Sequence, residues 1–363
     1  MVYLFFFLSS SAFAWDVHQS LMPWVVRGLP GSIQKELSSL PVVPSAQNET
    51  QNLIRELQLN PVIQFQPLAV RNVKDILVSG AVDEPDHGMD LNLDKSADPN
   101  NDRKYTGGGR GVDGQGFRHL YFAGWKLSHP VSTFQIPARS VGLAPGRAEV
   151  IAQKARLLIL GGNNTWGFRV LEWAMHYIQD LSQPYHSVQI PNLFMLPFSA
   201  LLTWPTSEGF DHLIKESTRT VSNYHHAYEL YTLAQILKGD HSPFAECMLH
   251  AEKYSGLKFS PSQGTPKDLA LEVAENSREL ASQVGSLSVD FFGTEIKNPE
   301  HDLAVKKGDL NYQELAENPA LKTPRDALHA VTCKALANGV SASRKLIEWA
   351  LVKPQQESVV SSK

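Results

Sequence analysis

The stretch WAMHYIQDLSQPYHS, from Trp173 to Ser187, places two imidazoles and one carboxylate among apolar side chains. His176 and Asp180 are four positions apart, so on a helix they project from the same face, one turn apart. Pro184 predicts the end of this helix and leaves His186 just beyond it, where the chain can turn back toward the pair. Imidazole nitrogens and carboxylate oxygens are typical zinc ligands. The spacing therefore favours a metal site, although a histidine on an apolar helix face is more often a hydrogen-bonded core residue.

Further nitrogen and oxygen ligands occur elsewhere in the chain. His212 and Glu216, in GFDHLIKES, form a second pair with a spacing of four. His119 lies near aromatic residues in FRHLYF, and Asp83 lies in SGAVDEPDHG. Together with the first segment, these residues could complete a buried metal centre.

The first residues, MVYLFFFLSSSAFAW, form an apolar run that ends in Ala12-Phe13-Ala14. This small-x-small pattern predicts a signal peptide over residues 1–14 and a secreted or periplasmic protein, although no Lys or Arg precedes Arg27. Cleavage there would make Trp15 the first residue. Its free amine and its carbonyl can then chelate a metal together with the imidazole of His18.

Helical periodicity dominates the rest of the chain, and strand-like alternation is scarce, so we expect an all-α fold. We predict a single helical domain over residues 15–352 and a disordered tail at 353–363. The predicted helices are Val17–Arg27, Ser32–Ser39, Glu49–Leu57, Val62–Leu77, Thr165–Leu181, His212–Leu237, Pro266–Phe292 and Pro324–Leu351.

Two stretches interrupt the helices. Residues 90–116 are polar and glycine-rich, which predicts a long solvated loop. Residues 193–204, LFMLPFSALLTW, are apolar around a central proline. They are either a buried segment or an exposed lipid-contacting loop.

The composition sets limits on function. Of the 363 residues 42% are hydrophobic and 19% are charged, as in ordinary globular proteins, and the net charge is −4. This charge argues against a broad basic surface for duplex DNA, but it leaves open a nuclease with a small metal site. Only Cys247 and Cys333 are present, so one disulfide is possible and a cysteine-based zinc site is excluded.

These residues resemble the zinc-dependent phospholipase C and S1/P1 nuclease family. The first match is a signal peptide that ends just before Trp15. The second match is the motif D-x-x-x-P-x-H, which runs from Asp180 to His186. His176 precedes it at the spacing found in the family. The third is a glycine-led His-x-x-x-Glu, which His212 and Glu216 supply. The resemblance covers the chain from Trp15 to the helix after Glu216, and it implies an all-α secreted enzyme with three zinc ions.

The resemblance also implies which residues bind each ion. One zinc would be held by Asp83, His119, His176 and Asp180, and a second by His186, His212 and Glu216. The third would be held by the amine and carbonyl of Trp15 with His18 and Asp180, which would bridge two ions. Asp83 would also act as the base that orients or deprotonates the attacking water.

The sequence departs from the family pattern in several places. His18 follows Trp15 by only three positions, and the WGxxGH motif of the nuclease branch is absent. The long loop after Asp83 leaves Asp86 as a competitor for its role. His225 and Glu229, in YHHAYE, are a rival pair with the same spacing, which we rank second because they lack the preceding glycine.

We therefore expect a phospholipase C that cleaves head-group phosphodiesters at a phospholipid or membrane surface. The apolar stretch at 193–204, the missing nuclease motif and the lack of basic patches favour lipid. The alternative is a single-strand nuclease, in which Phe117 or Tyr121 would stack on bases of single-stranded nucleic acid. A non-catalytic zinc-binding protein is the third interpretation. Nothing in the sequence indicates a protein partner.

Overall fold

Helices make up most of the chain that the computed structural model describes, so the prediction of an all-α fold is confirmed. The described residues are 17–42, 47–68, 70–89, 102, 116–125, 139–189, 191, 195, 207–297, 303 and 310–352. The side chains of residues 47, 48, 88, 125, 207, 208 and 210–218 are not among those described. The predicted signal peptide, Trp15, nearly all of the two interrupting stretches and the tail lie outside the described residues.

The helices follow one another in a simple order along the chain. They are α1 (His18–Arg27), α2 (Gly31–Ser39), α3 (Gln47–Glu56), α4 (Val73–Ile76), α5 (Ala144–Leu160), α6 (Asn164–Ser182), α7 (Pro184–Ser187), α8 (Ser207–Ile236), α9 (Ala245–Leu249), α10 (Glu252–Ser255), α11 (Pro266–Phe292), α12 (Tyr312–Glu317) and α13 (Lys322–Leu351). Single 3₁₀ turns occur at Ala81–Asp83, Gly116–Arg118, Gly239–His241, Glu295–Lys297 and Pro319–Leu321, and a π turn occurs at Pro85–Met89. Strands β1 (Phe122–Trp125) and β2 (Arg139–Val141) pair antiparallel as the two-stranded sheet of the described residues.

One helix prediction is wrong, and one long helix was not predicted. The helix predicted over Val62–Leu77 is wrong, because Val73–Ile76 is the only helix among the described residues of that range. Pro67 lacks an amide proton and disfavours the helical conformation of the preceding residue, which explains the break. The sequence analysis also missed α5, although Pro145 lies in its first turn and its buried side chains recur at helical spacing.

Helix α6 lies at the centre of the domain, and all of its residues are buried. It packs against α5, α11 and α13, which surround it. Gly339 of α13 permits a close approach, because a Cβ atom there would lie 2.6 Å from Oγ of Ser182. The polar side chains of α6 therefore have no access to bulk water and need partners inside the protein.

Cys247 of α9 and Cys333 of α13 form a disulfide, with their Cα atoms 5.8 Å apart. A cross-link of this kind stabilises a fold by about 2–4 kcal/mol. Structural disulfides persist mainly in oxidising compartments, so this bond is compatible with an extracellular location. Among the described helices, none has the length and apolar character to cross a bilayer.

Candidate metal centre

The carboxylate of Asp180 lies at the centre of four histidines. Its Oδ2 atom lies 2.9 Å from Nδ1 of His119 and 3.2 Å from Nε2 of His176. Its Oδ1 atom lies 3.2 Å from Nδ1 of His186 and 3.4 Å from Nε2 of His18. All five side chains are buried. The structure thus brings together five residues that the sequence analysis assigned to the metal centre.

Local structure explains how α6 and α7 present these ligands. His176 and Asp180 lie one turn apart on α6, as predicted. Gln183 leaves the helical conformation, and Pro184 begins the short helix α7. The break between the two helices turns His186 back toward Asp180, which confirms the expected change of direction.

The segment that carries His119 is tied to α7 through the backbone. The amide of Tyr121 donates to the carbonyl of His186 over 2.9 Å. His119 itself follows a 3₁₀ turn, with its amide bonded to the carbonyl of Gly116. This pairing holds the His119 imidazole over α6, where its Nδ1 atom also lies 3.0 Å from Nε2 of His176.

Two overlapping groups of possible ligands share His176. His119, His176 and Asp180 form one group, and His18, Asp86 and His176 form the other, each with ligand atoms within 4.8 Å of one another. A tetrahedral zinc ion with bonds of about 2.1 Å separates its ligand atoms by about 3.4 Å. In the first group the ligand atoms are 2.9–3.2 Å apart, slightly closer than this, and His176 and Asp86 of the second group are 3.4 Å apart.

Asp83 and Asp86 occupy different positions in this arrangement. Asp86 Oδ1 lies 3.4 Å from Nε2 of His176 and belongs to a ligand group. Asp83 Oδ1 accepts a hydrogen bond from the backbone amide of Gln19 over 3.2 Å, in the first turn of α1. Asp86, which the sequence left as an alternative to Asp83, therefore lies beside His176. Asp83 lies beside the start of α1.

A third group of possible ligands continues beyond Asp180 and consists of His186, His225 and Glu229. The Nε2 atoms of His186 and His225 are 3.1 Å apart, and His225 Nε2 lies 2.8 Å from Glu229 Oε1. Gln183 donates to the same carboxylate oxygen over 3.3 Å. The ring of Tyr185 stacks on His225 with a centroid distance of 5.6 Å.

The pair that lies beside His186 is thus His225 and Glu229, which the sequence analysis ranked second. His212 precedes His225 by 13 positions on the same helix α8, which corresponds to about 20 Å along its axis. The side chains of His212 and Glu216 are outside those that the structure describes. One ion at His186 cannot be shared by both pairs at this separation.

The protonation states of the buried groups suit metal binding, which requires neutral imidazoles and ionised carboxylates. Burial lowers the pKa of His176 well below its usual value, and the charge of His18 lowers it further. Burial also lowers the pKa of His186. Burial would raise the pKa of Asp180, but the neighbouring His176 and His119 hold it well below its usual value.

His18 behaves differently from the other histidines. Burial would lower its pKa, but the adjacent Asp180 carboxylate raises it above the usual value overall. His18 Nε2 and His186 Nδ1 both face Asp180 Oδ1, at 3.4 and 3.2 Å. Two imidazole nitrogens around one buried carboxylate oxygen fit a zinc ion, which takes nitrogen and oxygen ligands together.

The segment that carries Asp83 and Asp86 is fastened to α6 through Glu84. Arg169 binds both carboxylate oxygens of Glu84, and Nε1 of Trp173 donates to it over 2.6 Å. Burial raises the pKa of the adjacent Glu172 well above its usual value, and the charges of Glu84 and Asp83 add to this effect. The sequence analysis missed this attachment, because Arg169 and Glu84 are distant in the chain.

Comparison with known proteins does not place this chain in a family. No family model matches this chain, and no curated protein or solved structure matches it. The resemblance to zinc-dependent phospholipases C and S1/P1 nucleases therefore stays a prediction from the sequence motifs.

Proposed function

We propose that this protein is a secreted zinc-dependent phosphodiesterase that acts as a phospholipase C. The observation that carries this proposal is the buried Asp180 carboxylate with four histidine nitrogens within 3.4 Å. Such a constellation is costly in a protein interior unless cations are bound there. A set of neutral imidazoles and carboxylates favours zinc over calcium or magnesium, which prefer oxygen ligands.

Three zinc ions would be distributed along the ligand groups. His119, His176 and Asp180 would bind one ion with Asp86 or Asp83. His186 would bind a second with His225 and Glu229, and His212 with Glu216 is the alternative pair. Asp180 and His18 would bind a third with the terminal amine and carbonyl of Trp15.

Zinc supplies a Lewis acid and an activated water when it is bound. The residues of this chain would supply the remaining requirements for phosphodiester hydrolysis. Asp83 or Asp86 would accept the proton of the attacking water. The buried walls around α6 would exclude bulk water, and Glu84 would hold both aspartates in place through Arg169 and Trp173.

Several observations favour a lipid substrate over a nucleic acid. The net charge is −4, and an apolar stretch at 193–204 separates His186 from the ligands on α8. The nuclease alternative assigned base stacking to Phe117 or Tyr121. Phe117 is fully buried, so its ring is not accessible to a base, and Tyr121 is half-buried with its hydroxyl bonded to Ser140. An extracellular location agrees with the disulfide.

The proposal is tested by assaying the purified protein on phosphatidylcholine vesicles and on denatured DNA. We expect hydrolysis of the vesicles, loss of that activity with a chelator and recovery when zinc is returned. Metal analysis after dialysis should find close to three zinc ions per chain. Cleavage of DNA alone would favour the nuclease, a zinc-loaded protein inactive on both substrates would favour a binding protein, and one ion or fewer would contradict the three-ion centre.

A further inference from the structure

A buried hydrogen-bond chain leads from helix α13 to the metal centre and begins at a backbone carbonyl. Ser343 donates its hydroxyl proton to the carbonyl of Gly339 over 2.8 Å. A carbonyl can only accept, and a serine hydroxyl has a single proton. The Oγ atom of Ser343 is therefore left as an acceptor for any other neighbour.

This acceptor determines the orientation of the Gln179 side-chain amide. Nε2 of Gln179 lies 3.0 Å from Oγ of Ser343 and 3.4 Å from Sδ of Met22. Both neighbours accept, so the amide NH₂ group must face them. The amide oxygen of Gln179 consequently faces His18, at the start of α1.

The orientation of Gln179 in turn determines the tautomer of His18. Oε1 of Gln179 lies 3.0 Å from Nδ1 of His18, and an amide oxygen can only accept. Nδ1 must therefore carry a proton. In the neutral imidazole Nε2 then bears the lone pair, and this atom faces Oδ1 of Asp180 at 3.4 Å.

We propose that Gln179 and Ser343 are positioning residues that hold His18 in its Nδ1-protonated tautomer, so that Nε2 is offered to a zinc ion beside Asp180. Metal-binding histidines usually donate their second ring nitrogen to an acceptor in this way, which fixes the ring. The zinc part of this inference rests on the function proposed above, whereas the tautomer is a property of the metal-free protein. The C-terminal helix α13 thereby acts on the metal centre without contributing a ligand.

The tautomer can be read from imidazole ¹⁵N spectra of the metal-free full chain, recorded at a pH high enough for His18 to be neutral. The His18 signals are assigned by their loss in His18→Gln. Wild type should show a protonated Nδ1 at His18. Gln179→Glu keeps an acceptor at this position and should retain that tautomer, whereas Gln179→Met should yield a mixture. Gln235→Met replaces another buried glutamine, ten positions after His225 on α8 and outside the hydrogen-bond chain to His18, and should leave the His18 signals unchanged.

Zinc affinity, measured by competition with a chelator, is the second readout. Gln179→Met should weaken one zinc site by about 10–100-fold, while Gln235→Met should match wild type. If Gln179→Met fails to fold, Ser343→Ala should give the mixed tautomer and Ser343→Thr should restore the wild-type one. If the His18 tautomer is unchanged in folded Gln179→Met, the inference is overturned. If Gln179→Met does not fold, an unchanged tautomer in Ser343→Ala overturns it. A wild-type protein that binds no zinc would instead refute the proposed function, and the tautomer would still be decided by the spectra.

Discussion

The Nε2 atoms of His186 and His225 lie 3.1 Å apart inside the protein, with Glu229 beside them. Two ring nitrogens at this separation either share a proton or bind one metal ion together. Burial favours the neutral form of His186, which suits the metal. This contact selects His225 and Glu229 as the partners of His186 and leads to the first prediction.

Glu229→Gln should remove one zinc ion per chain, because an amide oxygen is a much poorer zinc ligand than a carboxylate. Metal analysis after dialysis measures the loss, and thermal unfolding should show a lower Tm, since bound metal stabilises the folded state. Glu216→Gln is the matched variant on the same helix and should retain all of its zinc. The reverse result would restore His212 and Glu216 as the ligands.

Asp180→Asn should cost more than one zinc ion and nearly all activity. Asp180 faces His119 with Oδ2 and His186 with Oδ1, so each of its oxygens lies at a different group of ligands. The loss of its charge should therefore affect more than one site. The exposed Asp326 provides the control, and Asp326→Asn should keep both zinc and activity. Retention of full zinc content by a folded Asp180→Asn protein would remove this residue from the metal centre.

Asp86→Asn and Asp83→Asn should separate the metal ligand from the catalytic base. The residue that activates water should lower turnover by at least about 10²-fold when it is replaced, with at most one zinc ion lost. Asp86 contacts His176, so we expect its replacement to lower zinc affinity. Asp83 contacts the amide of Gln19, so its replacement should alter turnover more than metal content. Steady-state kinetics and metal analysis on the same samples test both expectations.

His329 should make the stability of the protein depend on pH. Burial lowers its pKa from 6.5 to about 4, and its Nε2 atom lies 2.7 Å from the hydroxyl of Tyr231. As pH falls from about 6.5 to 4, the unfolded chain takes up a proton at this histidine that the folded protein does not, so the free energy of unfolding falls. Below about pH 4 both states are protonated and this contribution levels off.

The His329 effect is measured from urea unfolding of the metal-free protein across this pH range. His329→Gln should show a shallower decline of the unfolding free energy than wild type. His241→Gln, at an exposed position, should reproduce the wild-type decline. Equal slopes in wild type and His329→Gln would contradict the prediction.

The sequence alone determined the features that depend on neighbours along the chain. The spacing of His176 and Asp180 and the break at Pro184 are local, and the structure has both. Helix α11 begins and ends as predicted, since a capping box of Thr265 and Asp268 with Pro266 marks its start. The helix expected over Val62–Leu77 was wrong because apolar spacing was given more weight than the proline within it.

Only the tertiary structure decided which distant residues meet. Two His–Glu pairs with the same spacing lie on α8, and the packing of that helix brings His225 and Glu229 to His186. The same holds for Asp86 beside His176 and for the pairing of Cys247 with Cys333. Spacing along the chain fixes which side chains share a helix face, whereas contacts between helices depend on how their whole surfaces pack, and no local pattern encodes that choice.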